Sequence, residues 1–405
     1  MSTGIFNTSG FTQDLAAKSF AAAITRLMPN GQAPLFGMTA MLPEETALQV
    51  EHGFFTKTML FPAITLAAAI VNATDTTITV VSTLNVLPGM LMRFQSTGEV
   101  VIINQVLSAT QLLIGRGIGS TAGAVSNSVN AYQTGNAFEE SSIRPNALQI
   151  NPVRITNLTQ IFRNTWALSG SAQATQVIAG DSTIAENRSD CAAFHAADIE
   201  KALFFGTKSQ STRNGQPFRT MDGLLNIISN LSYYPSSYAA VNVYTALATT
   251  NFTQLENMLD PLFNQSTDPK AGNQRVLFVG GQAKKVLNNI GRLNATYEMY
   301  NDTTSYGLQF SQFKIARGSF NMIEHPLFNS NSDWSKQAVA VDLSTFRVAY
   351  LGGRKTKKEE FNVSGQAVDN GIDAVGGTLT SELTCVVKNP PANGWIKDLT
   401  AAAVG

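Results

Sequence analysis

The hydrophobic pattern of this chain runs at a helical period in one long stretch and at a strand period around it. Between Ile178 and Gly206, Ile184, Cys191, Ile199, Ala202 and Leu203, with Arg188 and His195 among them, recur at steps of three and four. Glu186, Asp190, Glu200 and Lys201 lie largely off that stripe. Gly180 and Asp181 break the extended run before it. Thr183 and Glu186 have capping-box spacing, and Gly206 stands where a left-handed helix stop belongs. At 1.5 Å per residue such a helix is about 35 Å long, enough to cross a domain. The pattern predicts an amphipathic core helix rather than a catalytic one.

A second helical pattern, Phe11 to Met28, puts Phe20, Ile24, Leu27 and Met28 on one face before Pro29 and Gly31 end it. Residues 1–44 therefore read as a terminal arm that docks on a neighbouring subunit. Asp14, Lys18 and Arg26 are too few and too mixed in sign for a membrane-surface helix. From Glu45 to Leu66 the period falls to two, with Leu48 and Val50 alternating with Gln49 and Glu51. Ile150, Val153, Ile155, Ile161, Phe162, Trp166 and Leu168 resume the extended pattern up to Thr175. Residues 45–66 and 137–180 thus read as two arms of one long hairpin.

Between those arms, residues 67–136 hold short β-branched runs. Turn signals at Leu87-Pro88-Gly89, Ser96-Thr97-Gly98 and Ser108-Ala109-Thr110 separate them. They predict a small inserted β-domain, barrel-like. Gly115-Arg116-Gly117-Ile118-Gly119 follows a strand, but Ser120 to Ser128 is not a helix, so the glycines read as a turn rather than a dinucleotide loop.

After the long helix, Lys208 to Pro217 reads as a polar loop. Residues 221–350 then read as a compact α/β domain: a helix at Thr253–Leu262, a buried strand at Arg275–Val279, and Gly280-Gly281 turning into a helix from Gln282 to Leu293. Further strands are expected at Phe320–Ile323 and Ala338–Val341, with Phe346–Leu351 leading out of the unit. Lys284 and Lys285 after the glycine pair resemble a phosphate-binding turn. Neither GxxxxGKS/T nor GxGxxG is present, so a tight βα turn with exposed lysines is the reading. Residues 181–220 and 351–405 make up a further domain, in which Thr378–Val387 is a strand and Trp395 and Ile396 close it. Arg354, Lys355, Lys357 and Lys358 are answered at once by Glu359 and Glu360. That favours a solvated strand turn over an intersubunit or DNA-facing patch.

Composition narrows the function. Of 405 residues only 14% are charged, and 28 basic residues balance 28 acidic ones. Such a surface gives little electrostatic steering toward nucleic acid or anionic membrane, which argues against a strong general DNA binder. It fits a subunit covered by its neighbours, or a β-rich polar protein. Cys191 and Cys385 form no CxxC and are expected reduced and buried. No signal-peptide pattern is visible, and the longest apolar segment, Met59 to Val71, is interrupted by Pro62 and Thr65, so a soluble, cytoplasmically made protein is expected. His52, His195 and His325 lack the spacings of metal or catalytic histidines, and no GxSxG is legible. His195 reads as a hydrogen-bonded core histidine, and Asp198 and Glu200 stand at ordinary helix spacing. No catalytic, cofactor-binding or metal-ligating residue is assigned, and no cofactor is expected.

The order of these parts resembles the Hong Kong 97-type major capsid protein of tailed bacteriophages, in the family with a β-domain inserted in the extended loop. The residues that carry the resemblance are Pro88-Gly89-Met90, Thr97-Gly98-Glu99-Val100-Val101 and Arg116-Gly117 in the insertion. They continue with Asn157-Leu158-Thr159-Gln160-Ile161-Phe162, Ser169-Gly170, a helix ending Ala202-Leu203-Phe204-Phe205-Gly206, and Gly377-Thr378-Leu379 followed by Asn389. The resemblance implies an α+β capsid fold with an N-terminal arm, an extended β-hairpin loop, a spine helix and an axial α/β domain at 221–350. The spine helix and terminal strands would form the peripheral domain. It implies a structural protein, not an enzyme, that self-assembles into hexamers and pentamers of an icosahedral shell in the host cytoplasm. The shell would enclose double-stranded DNA contacted non-specifically, without a membrane. A portal and a cement protein are further partners in this family. No long charged N-terminal segment is present, so a separate scaffolding protein is expected. Two rivals stand beside this reading. A cement or tail component would also be β-rich and neutral, but leaves the long helix unexplained. An enzyme with an accessory β-domain predicts a ligand pocket in 221–350.

Overall fold

The computed structural model describes residues 33–57, 62–149, 152–175, 183–234, 240–264, 273–293, 303–305, 308–362 and 373–402. The arm helix expected at Phe11–Met28 and the cap before Thr183 lie outside the described residues. The chain divides into two compact units, Lys57–Val153 and the remainder on either side of it.

In the larger unit the long helix spans Thr183–Phe205. Cys191, His195, Ile199 and Leu203 are buried, as the three-and-four spacing predicts, and so is Phe204 beside them. The helix packs on the strand Gln160–Ser169, whose buried Phe162 and Trp166 alternate with exposed Ile161, Arg163 and Thr165. That strand belongs to a five-stranded sheet in the order Glu45–Ala47, Phe346–Leu351, Ala374–Val387, Gln160–Ser169, with Lys357–Phe361 also paired to Ala374–Val387. Ala374–Val387 is the backbone of this sheet and pairs with Gln160–Ser169 from Gln160↔Leu383 to Ser169↔Ala374.

Three expectations change here. Gln160–Ser169 is not a hairpin arm, because its apolar side faces the long helix and its partner comes from the C-terminal segment. Among the described residues, ribbon pairing joins only Glu51–Thr56 and Val153–Leu158. Glu45–Ala47 instead pairs in parallel with Phe346–Leu351, so Phe346–Leu351 is a member of the five-stranded sheet and not an exit from the α/β domain. Lys208–Pro217 is no loop either, since Ser209–Arg213 and Gln216–Thr220 form a two-stranded hairpin.

A seven-stranded sheet builds the second core of this unit. Its order is Val243–Thr245, Gly394–Lys397, Ala338–Val341, Gln274–Val279, Gly318–Glu324, Leu308–Ile315, Thr303–Ser305. Gln274–Val279 is central, buried at every position after Gln274 and apolar from Val276 on, as a strand covered on both faces must be. Helices Phe252–Leu259 and Gly281–Leu293 contribute Leu255, Leu259, Val286, Leu287 and Ile290 to that core. Trp395 and Ile396 do not close the strand before them. Gly394–Lys397 crosses into the seven-stranded sheet between Val243–Thr245 and Ala338–Val341. The turn Pro390–Ala392, with two prolines that cannot continue a strand, makes the crossing possible.

The smaller unit is a six-stranded sheet ordered Ala63–Thr65, Asn130–Asn136, Met90–Phe94, Val100–Val106, Gln111–Gly115, Thr77–Thr79. Its first strand begins at Ala63, inside the segment read as loop. The bridge Leu66↔Val80 joins its outer strands, with Ala67 N–H to Thr79 O at 2.9 Å and Val81 N–H to Thr65 O at 2.8 Å, so the sheet closes on itself. Ile64, Leu66, Ile78, Val80, Met92, Phe94, Val101, Ile103, Leu112 and Ile114 fill it.

Candidate functional site

Buried polar junctions hold the larger unit together. The short helix Pro34–Thr39 begins at Pro34 with no side-chain cap from Ala33. Its cap comes from the long helix instead. Glu200 accepts the Leu35 N–H at 2.9 Å on Oε1 and the Phe36 N–H at 2.7 Å on Oε2. A carboxylate at a helix N-terminus meets both the free donors and the positive end of the dipole. His325 closes the set with Nε2 at 2.7 Å from Glu200 Oε1, while its Nδ1 accepts the Leu327 N–H at 3.2 Å. The proton therefore sits on Nε2. Both side chains are fully buried, and Phe204, Phe278 and Phe328 surround the imidazole with ring centres 4.8 to 5.8 Å away. The junction ties the helix Pro34–Thr39, the long helix and the seven-stranded sheet to one carboxylate.

The other face of the same helix is pinned by His195. Its Nδ1 donates to Asn164 Oδ1 at 2.7 Å and its Nε2 accepts from Ser381 Oγ at 2.8 Å, while Asn164 Nδ2 donates to Asp198 Oδ2 at 2.9 Å. Burial pushes the imidazole pKa below its ordinary value, with Asp198 opposing. It is the hydrogen-bonded core histidine the sequence predicts. Asn157 uses its whole amide group: Nδ2 donates to Asp222 O and Cys385 O, both at 2.9 Å, and Oδ1 accepts from Leu158 N and Asp222 N. Glu382 accepts from Thr159 Oγ1 at 2.9 Å and pairs with Arg354 at 2.7 Å and Arg219 at 3.4 Å. These groups fix the point where the chain leaves the ribbon, turns at Thr159 and enters the five-stranded sheet.

Gly206 ends the long helix for a reason other than the one expected. Its φ is not positive; an added Cβ would lie 2.5 Å from Ala202 O and 2.6 Å from Met221 O. The glycine is required because the backbone returns past it, with Gly223 N–H bonded to Gly206 O at 2.9 Å.

In the smaller unit Glu99 and Arg116 make a buried two-pronged pair at 2.6 and 2.7 Å, and Gly117 and Gly123 turn their N–H groups to the same carboxylate. Burial alone would raise the Glu99 pKa. The bonds from Arg116 and Gly123 outweigh it and hold the carboxyl below its usual range. The glycines at 117 and 119, at φ 69° and 62°, thus bend the chain around a structural carboxylate.

Of the remaining motifs, each member of the basic cluster has a carboxylate partner: Arg354 has Glu382, Lys355 has Glu44, Lys357 has Glu359 and Lys358 has Glu360, with Glu382 and Glu360 shared with Arg219 and Arg188. Lys284 lies 3.3 Å from Glu324 and is half-buried. Cys191 and Cys385 are both free and buried. Among the described residues no three His, Cys, Asp or Glu side chains converge as metal ligands, and no helix is long and apolar enough to cross a membrane. Sequence reading missed Glu200, Glu99, Asn157 and Glu382. The one available signal was an acidic residue two positions before the apolar run Ala202-Leu203-Phe204-Phe205.

What the frame leaves uncovered is its edges. In the ribbon every residue of Glu51–Thr56 is at least partly exposed, and Leu48 and Phe55 stand 90% and 69% open to solvent. The hairpin after the long helix is exposed throughout its first strand.

Comparison with known proteins agrees with that picture. The family profile described as SU10 major capsid protein matches residues 4–400. The major capsid protein of Pseudomonas phage PaMx41 is 35% identical over 410 residues, spanning 98% of this chain and 96% of its own. Among solved structures, a chain of Mycobacterium phage Adephagia overlays with a TM-score of 0.46 at 7% identity, covering 99% of both chains. The capsid of a native GTA particle overlays at 0.45 and 9% identity, covering 98% of both. With a family match running almost end to end, this chain belongs to the SU10 major capsid protein family.

Proposed function

We propose that copies of this chain assemble into hexameric and pentameric capsomers of an icosahedral phage head that encloses double-stranded DNA. The observation that carries this reading is the family match over residues 4–400. The physical case supports it. A two-stranded ribbon such as Glu51–Thr56 with Val153–Leu158 has no core of its own and is marginal in water, so a second subunit is what stabilises it. Uncharged, polar surfaces suit repeated contacts between identical copies. In this reading residues 1–44 are an arm onto a neighbour, the ribbon of Glu51–Thr56 with Val153–Leu158 and the β-unit inserted between its strands form the extended loop, the seven-stranded sheet with its helices lies at capsomer centres, and the long helix with the five-stranded sheet forms the periphery. A separate scaffolding protein directs closure in the bacterial cytoplasm, and a portal and a cement protein complete the head. The test is sedimentation of lysates expressing the chain alone and with the flanking phage genes. Fast-sedimenting particles in either case are expected; a slow monomer in both would contradict the proposal.

A further inference from the structure

The hairpin that follows the long helix is firmly rooted and otherwise bare. At its root Lys208 N–H donates to Asp222 Oδ1 at 3.1 Å, Thr220 Oγ1 donates to Thr207 O at 2.6 Å, and Arg219 reaches Glu382 at 3.4 Å. Beyond it, Ser209 to Arg213 and Gln216 to Phe218 are exposed, and among the described residues neither strand has a second partner. Asn214 and Gly215 form the turn at φ 51° and 73°, the two-residue type that matches strand twist.

The register decides which edge is open. Arg213 faces Gln216 across the turn, so Arg213–Gln216, Ser211–Phe218 and Ser209–Thr220 are the pairs that exchange hydrogen bonds. The pairs Thr212–Pro217 and Gln210–Arg219 point their main-chain groups outward. Pro217 therefore stands at an outward position and has no N–H to offer, which blunts the second strand's edge. The first strand's edge keeps the outward N–H groups of Gln210 and Thr212. One edge of the hairpin is blunted at Pro217 and the other keeps its full set of outward donors.

We propose that the Ser209–Arg213 edge is an assembly edge, pairing main chain to main chain with an extended segment of a second copy of this chain. The proposal rests on the capsid reading above, in which the neighbours within reach are copies. Charge permits it: from Ser209 to Gln216 the only charged residue is Arg213, and the chain is 14% charged with zero net charge, so copies meet here without like-charge repulsion. Phe218, 40% exposed and paired with Ser211, supplies an apolar contact beside the edge. Strand addition of this kind draws affinity from main-chain bonds and tolerates the Ser-Gln-Ser-Thr side chains found here.

Amide hydrogen exchange with single-residue fragmentation tests it, on full-length chain unassembled and in shells produced with the flanking phage genes. The Gln210 and Thr212 amides are expected to exchange about tenfold or more slowly in shells than in free chain. Ser211 and Arg213, bonded within the hairpin, serve as internal references in both states. Equal exchange at Gln210 and Thr212 in both states would overturn the proposal. So would slowing that appears only while the scaffolding protein is bound, since the occupant would then be a different protein. Thr212→Pro deletes one outward donor and no internal bond, so it is expected to lose closed shells while the free chain keeps its Tm. Ser211→Pro, which breaks an internal pair, is expected to lower that Tm. Thr212→Pro shells formed at wild-type yield would refute the edge alone, whereas wild-type chain that forms no shells under any condition overturns the capsid reading and this proposal together.

Discussion

Glu200 concentrates the residue-scale logic of this protein. A buried carboxylate is tolerated when donors surround it, and Leu35, Phe36 and His325 supply three. Glu200→Ala leaves those buried donors unpaired, at a cost of about 1–3 kcal/mol for each one left unsatisfied. Lys201→Ala, one residue on and exposed, should stay within about 0.5 kcal/mol. Urea denaturation of the two variants measures both. Glu99 makes a pH prediction for the smaller unit. Its folded pKa lies below the ordinary 4.5, so the ionised pair stabilises the fold above that value. This stabilisation is lost as pH falls through the ordinary value toward the lowered one. Glu99→Gln is expected to flatten the acid limb of the stability curve, as read by denaturation between about pH 3 and 6; an unchanged limb would place the acid sensitivity elsewhere. Neither carboxylate was legible in the sequence. A pair separated by 17 positions, or a cap supplied from 165 residues away, leaves no periodic trace. His195 was legible because a polar residue on an apolar stripe must find partners.

At the scale of elements, two glycines predict opposite outcomes. Gly37, inside the short helix, has nothing within 4 Å of an added Cβ, so Gly37→Ala should stabilise by about 0.5–1 kcal/mol. Gly206 has backbone oxygens at 2.5 and 2.6 Å, so Gly206→Ala should destabilise by about 1–3 kcal/mol or block folding, through overpacking that no side-chain rotation relieves. Thermal melts of both variants check the pair; the same sign at both positions would contradict the close backbone passage. The long helix was readable because Cys191, His195, Ile199 and Leu203 keep steps of four along one face, and that face is buried. Strand partnership was not, because alternation in Gln160–Ser169 or Gly394–Lys397 says which side is buried and nothing about which strand lies alongside. The hairpin at Ser209–Thr220 did leave a signal. Asn214-Gly215 is a strong two-residue turn pair, but the polar strands around it hid it.

For the whole molecule, the order of parts was more legible than any part. An extended stretch, an inserted β-unit, a long helix, an α/β core and returning strands follow from composition and period alone, and the family match spans the same range. The crossing of Gly394–Lys397 into the seven-stranded sheet could not be foreseen, since its pairing with Val243–Thr245 joins residues more than a hundred positions apart. Low charge, uncovered ribbon edges and an open hairpin edge all describe a subunit finished only by its neighbours. Negative-stain electron microscopy of the purified chain, alone and coexpressed with the flanking phage genes, tests this most directly. Closed shells or capsomer rings are the predicted result, and a well-behaved monomer under both conditions would contradict it.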